Sequence, residues 1–217
     1  MTMQSVGLHS DSKDLPKRQL NLDLWFPTPI YWIDVPDAQT LNKDLQGHIL
    51  DWQSKDPGIS VTNQGGWHST TDMHTKEWAD PLLLELQAMQ VKVIENEQWT
   101  QPTKIGNMWA NVNKTDASNK KHCHANASWS GVYYVKVPTE VNKNCGFLHL
   151  NDPRDRAAMI RPDQKPVADI DPRLWHQANY MPKEGRLLMF PAWLEHFVGV
   201  NETQEPRISV SFNFVYV

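Results

Sequence analysis

Three observations predict a mainly β fold, two layers of strands wrapped as a jelly roll (a double-stranded β-helix) with α-helices flanking it on the N-terminal side. First, the apolar residues recur at helical spacing in the first half of the chain and alternate from about Ile105 onward. Second, IGNMWANVN (105–113), WSGVYYVKV (129–137), GFLHL (146–150), RLLMF (186–190) and ISVSFNFVYV (208–217) each have the length and the β-branched or aromatic content of strands. Third, the last of these divides its side chains cleanly between a greasy face and a polar one. Strands in this number, preceded by helices, close most readily as two packed sheets.

Taken in chain order, residues 1–24 open without the apolar stretch of a secretory signal and read as a flexible N-terminal arm. Residues 25–104 read as a mostly helical flank and 105–217 as the jelly-roll core, all within one domain, since 217 residues are an ordinary length for one. In the flank, Asp37 is placed to cap a helix that brings Leu41, Leu45, Ile49 and Trp52 onto one face. Asp80 followed by Pro81 opens a second helix, with Leu82, Leu86, Met89 and Val93 along its stripe. The turn-rich stretch between them reads as irregular. Later, Asn151–Glu184 holds five prolines and no sustained pattern, and so reads as a long insertion. Arg154, Arg156, Arg161, Arg173 and Trp175 would let it cover a site.

Composition bounds the function. A net charge of −4 argues against binding driven by attraction to nucleic acid or to anionic membranes. No apolar run is long enough for a transmembrane helix. Two cysteines, Cys123 and Cys145, are too few for a disulfide scaffold and suit a reducing cytoplasm, although a single bridge between them stays open. Ten tryptophans spread along the chain suit core and pocket wall, and any left exposed in the N-terminal half would be compatible with a homodimer.

The chemistry is sought on the final strand. Ile208, Val210, Phe212, Phe214 and Tyr216 point one way, and Arg207, Ser209, Ser211 and Asn213 the other. A solvated face would mix Lys and Glu, whereas this one carries a single charge, which suits the wall of a polar cavity. Just upstream, His196 sits among Trp193, Leu194, Phe197 and Val198, and the turn NETQEP (201–206) allows its imidazole and the Arg207 guanidinium to share that cavity. His122 and His124 flank Cys123, and residues at i and i+2 of an extended segment project to one face. An H-x-H pair is weak evidence by itself. With His196 it makes a three-ligand set that leaves coordination positions open, as a catalytic centre for Fe(II), Zn(II) or Cu(II) requires.

These residues resemble the iron(II)- and 2-oxoglutarate-dependent oxygenase superfamily. The resemblance lies in His122-Cys123-His124, SGVYYV (130–135), GFLHLNDPR (146–154), GRLLMFPAWLEH (185–196) and RISVSFN (207–213), with NQGGWHS (63–69) upstream. It implies a double-stranded β-helix with Fe(II) held by His122, His124 and His196. It also implies 2-oxoglutarate with its distal carboxylate on Arg207 and Ser209, and O2 as co-substrate. From strand placement alone, Tyr133, Tyr134 and Asn111 would add polar contacts to the cofactor. Most of the superfamily has Asp or Glu where this chain has His124, so the ferrous centre would carry one more unit of positive charge. Asn126 is the alternative oxygen ligand, in a set with His124 and His196.

The implied reaction is hydroxylation of a small-molecule or peptidyl substrate, with release of succinate and CO2. Two rivals remain: a three-histidine, cupin-like dioxygenase that uses no 2-oxoglutarate, and a non-catalytic metal-binding jelly-roll module. His149 and His176 read as structural or substrate-facing residues.

Overall fold

The structure, a computed structural model, describes residues 27–140, 144–154 and 176–217. Its elements run β1 (Tyr31–Asp34), α1 (Ala38–Lys55), β2 (Asn63–Gln64), β3 (Trp67–His68), α2 (Asp80–Glu97), β4 (Thr103–Asn113), β5 (Ser118–His122), β6 (Trp129–Lys136), β7 (Leu148–Asn151), β8 (Gln177–Tyr180), β9 (Arg186–Pro191), β10 (His196–Val198) and β11 (Arg207–Tyr216), with two short 3₁₀ turns (Met73–Thr75 and Glu77–Ala79) before α2. The strands form a six-stranded sheet, ordered β1-β9-β6-β11-β4-β3, and a five-stranded sheet, ordered β2-β5-β10-β7-β8. Every strand pairing within them is antiparallel. This is the mainly β jelly roll that the alternating segments predict. Among the described residues no helix is long and apolar enough to cross a membrane.

The large sheet is two-sided by construction. Ile208, Val210, Phe212 and Phe214 of β11 are buried with Met108, Ala110 and Val112 of β4 and with Tyr133 and Val135 of β6, beneath Leu45 and Ile49 of α1 and Leu82, Leu86, Met89 and Val93 of α2. The helical stripes read from the sequence are therefore the stripes that cover this face. Tryptophans tie the layers together: Trp52 meets Trp67 and Trp78 edge-on at 5.8 and 6.1 Å, and Trp99 packs on Trp129 at 5.5 Å. Gly131 lies where Phe212 crosses β6, and a Cβ there would fall 2.2 Å from the Phe212 ring, so a side chain is excluded by close approach.

Three expectations are corrected. The stretch between the helices is not irregular throughout, because residues 63–64 and 67–68 are strands, and 31–34 ahead of α1 is a further strand. Each is four residues or fewer and is held by a longer neighbour, β9, β5 or β4, so its own sequence carries too few alternations to register. Asp37 does precede α1, but in a left-handed conformation (φ 48°) and without a side-chain hydrogen bond to the helix. Asp80 is already helical, with Ala79 at the capping position and Pro81 in the first turn. The 1–24 arm and, within the insertion, Arg156, Arg161, Arg173 and Trp175 lie outside the described residues.

In the small sheet, His196 is the cross-strand partner of His122, whereas Val198 partners Asn119, so β5 carries one extra residue between these two pairings. The two sheets enclose a second apolar cluster, including Val132, Tyr134, Leu148, Leu150, Leu188 and Phe190, beside the polar cavity described next.

Candidate metal centre and its cavity

Between the sheets lies a narrow cavity whose wall holds His122, His124, His196, Arg207, Ser209 and Asn111. Each reaches it through strand alternation. On β11 the residues opposite to the buried apolar set, Arg207, Ser209 and Ser211, face inward, and Asn111 of β4 is the cross-strand partner of Ser209. His122 ends β5, and His196 begins β10 directly opposite it. His124 lies two residues past the strand, fixed by its backbone N–H, which donates to the Ala192 carbonyl at 2.8 Å. Cys123 is left exposed between the two histidines and Cys145 is buried, and both are free thiols.

One nitrogen from each of His122, His124 and His196 lies within 4.8 Å of the others. The rings are 4.4 Å apart for His122 and His196, 4.9 Å for His122 and His124, and 5.2 Å for His124 and His196. His122 Nδ1 meets the Lys120 carbonyl at 2.7 Å, and His196 Nδ1 meets the Leu194 carbonyl at 2.8 Å. A carbonyl only accepts, so each of these rings holds its proton on Nδ1 and presents a bare Nε2. Burial lowers the basicity of all three rings, His124 to a pKa of about 4 and His196 to about 3, and for these two repulsion from neighbouring histidines adds to the fall. At neutral pH the cluster is uncharged, the form in which imidazole ligates a metal. Three convergent neutral imidazoles fit a borderline divalent cation such as Fe(II). Among the described residues no carboxylate joins the group. Asn126 is exposed and outside the cavity, so the oxygen-ligand alternative has no geometric support.

Arg207 is 2% exposed. Its Nη1 donates to Ser209 Oγ at 3.2 Å and its Nε has no acceptor. The guanidinium lies 5.7 Å over the Tyr134 ring, and among the described residues no carboxylate pairs with it. Burial pulls its pKa down. Gly146, at φ 80°, lets the chain pass against this side chain, since a Cβ there would come within 3.0 Å of Arg207 Nε. A buried guanidinium with an unpaired N–H beside a cavity offers that cavity a charge-assisted donor.

Tyr133 is a correction. It was expected beside the cofactor, but it faces the helices, where its hydroxyl donates to Asn42 Oδ1 at 2.6 Å. Tyr134 is in the cavity wall instead. Adjacent strand residues cannot share a face, and Ser130, which lies in the wall, assigns the inward parity of β6 to Ser130, Val132 and Tyr134. Asn111 is in the wall and its Nδ2 donates to Ser211 Oγ at 3.2 Å. His149 is turned away from the cavity, stacked on Phe197 at 4.4 Å with Nδ1 against Asn179 Oδ1 at 2.7 Å.

Sequence reasoning missed Trp109 and Asn119. Trp109 follows from alternation on β4 two places before Asn111, while Asn119 lies on β5, whose sequence SNKKH has no apolar signal. Trp109 stacks on the buried His68 of NQGGWHS at 5.4 Å and packs on His124 at 5.8 Å, so that motif supports the site from behind.

Residues 107–213 match the family model described as "Putative 2OG-Fe(II) oxygenase". No curated protein matches. Among solved structures, a Pseudomonas putida prolyl-4-hydroxylase is similar at a TM-score of 0.62 and 13% identity, over 87% of this chain and 92% of that one. HygX from Streptomyces hygroscopicus, with nickel and 2-oxoglutarate bound, gives 0.61 at 11% identity over 87% and 83%. A Trichoplax adhaerens prolyl hydroxylase in complex with a hypoxia inducible factor peptide fragment gives 0.58 at 12% identity over 86% and 82%. At these identities the structures establish a shared fold. The match over 107–213 spans the histidine cluster and Arg207 together, and it is the iron(II)- and 2-oxoglutarate-dependent oxygenase family that this part of the chain matches.

Proposed function

We propose that His122, His124 and His196 hold Fe(II), that Arg207 and Ser209 anchor the distal carboxylate of 2-oxoglutarate, and that one domain hydroxylates a small-molecule or peptidyl substrate. The observation that carries this reading is Arg207, a guanidinium buried in the cavity of the histidine cluster with no counter-ion among the described residues. An isolated buried charge is costly, and a carboxylate offers it a bidentate partner.

Bound iron supplies the coupling of 2-oxoglutarate decarboxylation, to succinate and CO2, with oxygenation of a C–H bond by O2. The chain's residues prepare for that chemistry. Lys120 and Leu194 carbonyls hold the Nδ1 protons of His122 and His196 and so aim Nε2 at the metal position. Arg207 fixes one end of the co-substrate, and Asn111 and Ser211 supply polar contacts on the neighbouring wall. Val132, Leu148 and Phe190 line the cavity with apolar surface that excludes water from the reacting centre. The net charge of −4 supports a protein that does not rely on attraction to nucleic acid or anionic membranes, and the free thiols support a cytoplasmic location. Among the described residues of the N-terminal half, Trp32, exposed on β1, is a tryptophan that would serve a homodimer contact.

The test is anaerobic titration of the Fe(II)-loaded protein with 2-oxoglutarate. A visible charge-transfer band is expected, and Arg207→Ala should abolish it while leaving metal content unchanged. The all-histidine set favours one rival reading, a dioxygenase that uses no 2-oxoglutarate. Oxygen consumption that ignores 2-oxoglutarate would select it, and stoichiometric zinc with no response to either would select a binding module.

A further inference from the structure

His122 and His196 each have a carbonyl on Nδ1, and His124 does not. Its Nδ1 faces the side-chain amide of Asn213, with Nδ2 at 3.5 Å. That amide is itself tied down: Asn213 Nδ2 donates to Asn107 Oδ1 at 2.7 Å, and Ser130 Oγ donates to Asn213 Oδ1 at 2.6 Å. Asn213 is 4% exposed and Ser130 is 2% exposed, and the three residues sit side by side on β4, β11 and β6. In this orientation an amide N–H points at Nδ1, so Nδ1 accepts and the ring proton belongs on Nε2. That tautomer is the wrong one for ligation through Nε2.

A half-turn of the Asn213 amide about Cβ–Cγ reverses this. Oδ1 then faces His124 and accepts an Nδ1 proton, leaving Nε2 bare. The neighbours can follow without losing a bond. The Ser130 hydroxyl turns from donor to acceptor for Asn213 Nδ2, and the Asn107 amide turns to donate its own Nδ2 to Asn213 Oδ1. Each member of the row can serve as donor or acceptor, so the row has two arrangements that keep the contacts Asn213 makes with Ser130, Asn107 and His124.

We propose that Asn213 is a positioning residue that selects the His124 tautomer, its amide turning over, with Ser130 and Asn107, when a divalent metal enters. The proposal rests on the reading of His124 as a metal ligand. It gives the end of RISVSFN a role distinct from that of Arg207 at its beginning. A competing partner for Nδ1 is solvent, because a second cavity bordered by Asn107, Asn126 and Asn213 reaches His124 from behind.

The test uses Zn(II) as a diamagnetic probe on the full chain, read by competition affinity and by ¹⁵N correlation spectra of the histidine rings. In the zinc-loaded wild-type protein His124 should carry its proton on Nδ1, and in the metal-free protein on Nε2. Asn213→Asp presents only acceptors and should retain wild-type zinc affinity, with the Nδ1 proton present even without metal. Asn213→Leu should weaken zinc binding by about 10- to 100-fold. If Asp weakens binding as much as Leu, the residue is merely structural and the proposal fails. If Leu leaves affinity unchanged, solvent serves Nδ1 and it fails as well. Ligation of zinc through His124 Nδ1 would also overturn it, by a spectrum that needs no variant. A wild-type protein that binds neither Zn(II) nor Fe(II) would instead overturn the metal-site reading itself.

Discussion

The two faces of the strands β4, β11 and β6 are made from alternate residues of the same backbone, yet they solve opposite problems. On the helix side Phe212, Phe214, Val210 and Met108 are at most 1% exposed, with apolar neighbours on all sides. On the cavity side, equally buried positions hold Arg207, Ser209, Asn111 and Asn213. The first face gains from burial at ~25 cal/mol per Å² of apolar surface. The second gives up that gain and keeps a guanidinium nitrogen without an acceptor. The difference teaches where stability and function separate in this chain: they lie one residue apart along each strand.

The sharpest way to break this comparison is pH. His124 and His196 have pKa values near 4 and 3 in the folded state, below the ordinary imidazole value of about 6.5. Between these values the unfolded chain binds more protons than the folded one, so stability rises with pH. The metal-free protein should therefore lose stability as pH falls from about 6.5 toward 4, at roughly 1.4 kcal/mol per unit for each histidine and several kcal/mol in all. Urea midpoints across this range measure it. A flat profile would mean that the cavity face is no more strained than the core.

Next in size is Phe212→Ala, which leaves a void under the helices and should cost about 3–5 kcal/mol in denaturant unfolding. Fe(II) and 2-oxoglutarate binding should persist in the folded fraction. Arg207→Met should do the reverse, raising stability by about 1–3 kcal/mol while eliminating the 2-oxoglutarate charge-transfer band. If Arg207→Met destabilises instead, the guanidinium serves the fold and the division between faces is wrong. The smallest effect expected is that of Tyr133→Phe, which removes the hydrogen bond to Asn42 for about 1 kcal/mol and leaves cofactor affinity unchanged.

What could be read from the sequence follows the same division. On β11 each parity is chemically uniform from Arg207 to Phe214, and both the sheet and the inward placement of Arg207 and Ser209 were legible. On β6 both parities are largely apolar or aromatic, so Tyr133 and Tyr134 could not be told apart by character, only by counting from Ser130. β5 was invisible because SNKKH is polar throughout, its strand state coming from β10 and β2 rather than from propensity. β10 has three residues, too few to display a period. The histidines were legible as residues, but the carbonyls that set their tautomers were not, since any backbone can supply one.

The extra residue in β5 between the Asn119 and His122 pairings has a further consequence. It falls at Lys120-Lys121, whose side chains point to no part of the cavity wall, while the Lys120 carbonyl takes the His122 Nδ1 proton. What this dipeptide contributes is length. Exchanging either lysine for another residue leaves the spacing intact. Deleting one would close the bulge, leaving Asn119 and His122 two apart and on the same face, still opposite Val198 and His196. At this point the ladder carries one residue to spare, and the site has slack in its reading frame that a regularly paired strand lacks.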